Sequence, residues 1–82
     1  METVEFHVFE PADVPSALDP ARRVTINAGV WPVNFDEIIS RTGSAPECEV
    51  VEPNIRTTRI LRSDLMQLCK DGKAARRNPE GV

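Results

Sequence analysis

Hydrophobic and polar positions alternate with period two in several stretches of the chain, and this alternation predicts most of its elements. Val4, Phe6 and Val8 fall on one side of residues 3–9, and Glu5, His7 and Phe9 on the other, the pattern of a half-buried strand. Residues 10–20 break the alternation with Pro11, Pro15 and Pro20. This stretch predicts a loop holding one helical turn, with Asp13 as its cap around Val14 and Pro15. Alternation resumes over residues 23–30, where Val24, Ile26, Ala28 and Val30 oppose Arg23, Thr25 and Asn27, giving a second strand interrupted at Gly29 and the Trp31-Pro32 pair.

The period then changes. Asn34 has Glu37 three positions on, as in a capping box, and Val33 and Ile38 stand at the spacing of a hydrophobic staple. These residues predict a short helix over 34–42 with Phe35, Ile38 and Ile39 as its apolar stripe and Gly43 at its end. Residues 47–52 return to alternation with Cys48 and Val50 inward. Glu52-Pro53-Asn54 has the composition of a turn into a strand over 55–62. The alternative is one long helix opened by Pro53, because Leu61, Leu65 and Leu68 share a helical face. The β-branched Ile55, Thr57, Thr58 and Ile60, followed by Ser63-Asp64 as a cap, favour strand then helix. Leu65, Leu68 and Cys69 make the helix over 64–71 amphipathic, and Gly72 stops it. Residues 73–82 show no apolar periodicity and contain Pro79 and Gly81.

The expected fold is therefore α+β, a small antiparallel sheet of about four strands with two short helices in ββαββα order. The expected organisation is one domain over residues 1–72 and a flexible, disordered basic tail over 73–82. At 82 residues the chain suffices for a single core. Three Phe, one Trp and no Tyr leave that core to Val, Ile and Leu. No apolar run approaches a bilayer span and the first residues lack the features of a signal peptide, so the expected compartment is the cytoplasm, with no membrane partner.

The net charge of -3 conceals a reversal along the chain. Residues 1–55 hold three basic and ten acidic side chains, and residues 56–82 hold seven basic and three acidic ones. Such asymmetry marks opposed binding faces, or halves that pair with each other on folding.

Little in the chain points to catalysis. His7, Cys48 and Cys69 are the side chains able to react near neutral pH, yet Cys48 is predicted to face inward and His7 outward. Glu47 and Glu49 alternate onto the solvated side of their strand. The four glycines are scattered rather than gathered into a phosphate loop. No enzyme activity, cofactor or metal is expected, and the cysteines read as unpaired.

The function expected from these features is that of a small protein-binding or regulatory module, an adaptor, accessory subunit or inhibitor of the kind phages encode. Its acidic Glu47, Glu49 and Glu52 would attract a partner with a basic surface. Trp31, at the expected strand-to-helix junction between Val30 and Pro32, is either an interface anchor or a core residue. The alternative is nucleic-acid binding, with Arg56, Arg59, Arg62, Lys73, Arg76 and Arg77 contacting phosphates. Residues Arg59-Ile60-Leu61-Arg62-Ser63-Asp64-Leu65 resemble the end of small excisionase-type winged-helix proteins. The helix-turn-helix that should precede them is missing, so the resemblance carries over no functional residue. A homodimer that covers an open sheet face or edge is a third class of partner.

Overall fold

The computed structural model describes residues 2–35 and 46–77 of the chain. Their elements run β1 (Glu2–Val8), β2 (Ala12–Pro15), β3 (Arg23–Ile26), β4 (Gly29–Phe35), β5 (Glu47–Glu52), β6 (Arg56–Leu61), α1 (Arg62–Lys70) and β7 (Ala74–Arg76). Five strands form one sheet in the order β6-β5-β4-β1-β7, every neighbouring pair antiparallel, and β2 and β3 form a separate hairpin. This corrects the expected fold class. The main sheet has five strands, a second sheet of two stands beside it, and one helix occurs among the described residues.

Each departure from the expected elements has a local cause. Ala12 and Val14 alternate inward and are buried, so the proline-flanked stretch forms β2 in place of a helical turn. Asp13 caps nothing there and accepts a hydrogen bond from the Thr25 hydroxyl of β3 (2.6 Å). The strand expected over 23–30 is two strands, split after Ile26. Trp31 and Pro32 continue β4, with Pro32 opposite Glu5 and one residue before the β5 ladder begins at Val33, where its missing N–H matters least. Asn34 is not a helix cap but pairs with Thr3 and Glu49 within the sheet, and Phe35 follows it in β4. Ile38, Ile39, Gly43 and the rest of the expected first helix lie outside the described residues.

The β5–β6 hairpin has the turn that its composition suggests. Asn54 takes φ of 65°, which Asn tolerates better than most residues, and Ile55 N–H donates to the Glu52 carbonyl (3.0 Å). This strand-then-helix arrangement excludes one long helix from Pro53. Helix α1 begins at Arg62 and ends in a Schellman motif. Gly72 adopts φ of 76° and donates to Cys69 O, and Lys73 N–H donates to Leu68 O (2.9 Å).

The segment expected to be disordered from Lys73 contains β7 instead. Ala74 is 2% exposed opposite Val8, and Arg77 N–H extends the pairing by donating to Glu5 O (2.8 Å). Backbone pairing and one buried methyl group stabilise a segment that has no apolar periodicity of its own.

The register separates the two faces of the main sheet. Val4, Phe6, Val8, Val33, Cys48, Val50, Ile60 and Ala74 all point to one side and join Ala12, Val14, Ile26, Leu65 and Leu68 in a single cluster. Helix α1 and the β2–β3 hairpin thus lie on the same face. Positions that alternate to the other side, from Thr3, Glu5 and His7 on β1 to Thr57, Arg59 and Leu61 on β6, include no buried residue. No helix among the described residues is long and apolar enough to cross a membrane.

Candidate functional site: the uncovered sheet face

The β5–β6 edge of the uncovered face is polar and tightly paired. Glu49 and Arg59 stand opposite each other on β5 and β6, and Glu47 lies two positions along β5 on the same side. Arg59 Nε donates to Glu47 Oε1 at 3.0 Å and its Nη1 lies 3.1 Å from Glu49 Oε2, so one guanidinium bridges two carboxylates. Val51 and Leu61 flank this bridge along β5 and β6, Val30 and Pro32 lie on the same face of β4, and all four are half-buried. Glu5 adds a third carboxylate from β1. The strand residues of this face thus carry three carboxylates against one guanidinium and stay net acidic after the internal pairing.

Glu52 belongs elsewhere. It alternates to the covered face, is 1% exposed, and accepts a hydrogen bond from Asn27 Nδ2 at 2.8 Å. Its other oxygen, Oε1, has no hydrogen-bond partner and lies 3.8 Å from Arg56 Nε. Arg56 also donates to the Thr25 carbonyl. Glu52, Asn27 and Arg56 thereby clasp the start of the β5–β6 turn to the β3–β4 connection. Trp31 packs on the same side, half-buried against the core, and its Nε1 donates to Asn27 O at 2.8 Å. Of the four acidic-face candidates, Glu47 and Glu49 share the uncovered face, and Glu52 and Trp31 do not reach it.

The basic candidates stand at opposite edges of the sheet. Arg56 and Arg59 are on edge strand β6, where a hollow of about 180 Å³ also meets Ser16, Leu18 and Arg22. Arg62 opens α1 with its guanidinium carbon 4.9 Å from the centre of the Phe35 ring. Lys73, Arg76 and Arg77 are exposed around β7, at the far edge. Pairing of Arg59 with Glu47 and Glu49, and of Arg56 with Glu52, joins the basic and acidic halves of the chain.

A second hollow lies on the covered side between the end of the sheet and α1. Its volume is about 410 Å³, and its lining includes Phe6, Phe35, Met66 and Cys69, with Glu2, Arg62 and Arg76. Burial pushes the Cys69 thiol above its ordinary value, so it stays protonated at neutral pH. Sequence reasoning missed this hollow. The inward parity of Glu2 and Arg76 with Phe6 is its one sequence signal, and that signal requires knowing that β7 pairs with β1.

His7 meets Phe9 in a tilted ring contact, with centres 4.4 Å apart, and is exposed, whereas Cys48 is buried on the opposite face, so the two do not meet. Compared with family models, curated proteins and solved structures, the chain gives no significant match.

Proposed function

We propose that the protein is a small non-catalytic binding module that docks a basic protein surface on the uncovered face of its five-stranded sheet. The observation that carries this reading is the one-sided construction of the described part of the molecule. Among the described residues, the helix and the hairpin both cover the same face, and the other presents half-buried Val30, Pro32, Val51 and Leu61 beside a net acidic β5–β6 edge. Half-buried apolar side chains bordered by a charged edge match the apolar centre and polar rim of a specific interface, and the excess carboxylates favour and accelerate encounter with a cationic partner.

Arg59 gives the face its specificity. It holds Glu47 and Glu49 in fixed positions, so an incoming Lys or Arg meets preoriented oxygens rather than mobile ones. A partner that buries this bridge gains from completing the network, and one that leaves it dry and unpaired loses.

The test is affinity capture on the immobilised chain from an extract of its native host, with and without nuclease, at low and high salt. The expected result is a defined protein that survives nuclease, is released by salt, and is lost on Glu49→Lys/Glu5→Lys but kept on Arg76→Gln. Recovery of nucleic acid that disappears with nuclease and with Arg76→Gln/Arg77→Gln would overturn the reading. Thermal melting of each variant shows that the fold persists.

A further inference from the structure

We propose that the hollow between α1 and the β1–β4 end of the sheet is a binding site for a small amphipathic carboxylate, an apolar body with one anionic head. This inference is independent of the docking face, which lies on the other side of the sheet. The volume, about 410 Å³, falls within the range of small-molecule pockets, on the order of 300 to 1,000 Å³.

The lining has two chemically distinct parts. Phe6 and Phe35 meet edge to face, with ring centres 6.0 Å apart, and Met66 is 40% exposed, a large value for an apolar side chain on a helix whose neighbours Leu65 and Leu68 are buried. Met adapts its shape to an apolar guest better than a branched residue. Cys69 stays a neutral thiol and adds no charge to this part.

Arg62 and Arg76 approach from opposite sides, one from the start of α1 and one from β7. Arg62 is already oriented by the Phe35 ring and by the Glu47 carbonyl, to which its Nε donates at 3.4 Å. Arg76 stands opposite Phe6 in the register, on the covered side of the sheet. Among the described residues its side chain has neither ion pair nor hydrogen bond. A guanidinium beside an apolar hollow recognises a carboxylate with paired N–H donors, while the apolar body of the ligand covers the aromatic rings. Glu2 also lines the hollow and opposes an anion there, so the site carries two positive charges against one negative. That balance selects a single carboxylate head over a dianion or a cation.

The experiment is an NMR titration of the full chain with decanoate below its micelle concentration, with decan-1-ol and acetate as the apolar and anionic controls. Decanoate is expected to give saturable shifts centred on Phe6, Phe35, Met66 and Arg76, at an affinity about tenfold above decan-1-ol, the worth of one charge-assisted hydrogen bond. Arg76→Gln should bring decanoate down to the affinity of decan-1-ol, and Glu2→Gln should tighten decanoate alone. Equal binding of decanoate and decan-1-ol, equal binding of acetate and decanoate, shifts centred outside the hollow, or no saturation would each overturn the proposal. Both substitutions sit on exposed side chains, and the melting temperature of each variant checks the fold.

Discussion

Two polar details, one buried and one half-buried, make opposite demands on single residues. Thr58 faces the core beside Val50, and its Oγ1 has no hydrogen-bond partner, so the hydroxyl is desolvated without return. Thr58→Val keeps the shape and removes the orphan group, and it should raise stability by about 1 kcal/mol, measured by urea unfolding. Cys69 contributes through its proton. Its folded thiol is held above the ordinary value of 9.0 by burial, so between the unfolded and folded values the native state binds more protons than the unfolded state. Stability from this group is therefore complete below about pH 9 and declines as pH rises through the folded value. Cys69→Ala should flatten the alkaline arm of a stability profile, and iodoacetamide should modify Cys69 slowly at pH 8, with Cys48 protected until unfolding.

At the scale of elements, the split between β3 and β4 rests on Gly29. Its φ of 152° suits glycine, and a Cβ placed there would lie 2.3 Å from Trp31 Cζ2. Gly29→Ala must displace the indole that donates to Asn27, and Asn27 in turn holds Glu52. The expected cost is about 3 kcal/mol from strain and repacking, read as a fall in melting temperature of roughly 12 to 24 °C for a domain of this size. The alternation of β1, β5 and β6 was legible in the sequence, since each buries one face and keeps period two. β2 and β7 were not. Their residues carry too little apolar content to announce a strand, and they become strands because Ile26 and Val8 lie across from them. Asn34 misled for a related reason. Its capping pattern with Glu37 is a local preference, and two neighbouring strands outweigh it with a ladder on each side.

For the whole molecule, the reversal of charge along the chain proves to be partly internal pairing. Arg59 with Glu47 and Glu49, and Arg56 with Glu52, join three carboxylates before residue 55 to two guanidiniums after it. Composition revealed the imbalance, but only the β5–β6 register shows which charges cancel and which remain. The candidate docking face was half legible, because alternation placed Glu47 and Glu49 on a solvated side. The same parity rule assigns Glu52 to the interior, where its carboxylate became a clasp between turns. The second hollow depends on a contact between the first and last strands, which no local pattern contains.

That contact also has a consequence for how the protein is made. β1 and β7 are neighbours in the sheet, yet Ala74 follows its partner Val8 by 66 positions. At translation rates of about 5 to 20 residues per second, β1 waits roughly 3 to 13 s for β7 to be synthesised. Throughout that interval the nascent chain carries a strand with its Phe6–Val8 edge bare, and a ribosome-associated chaperone has those seconds in which to shield it.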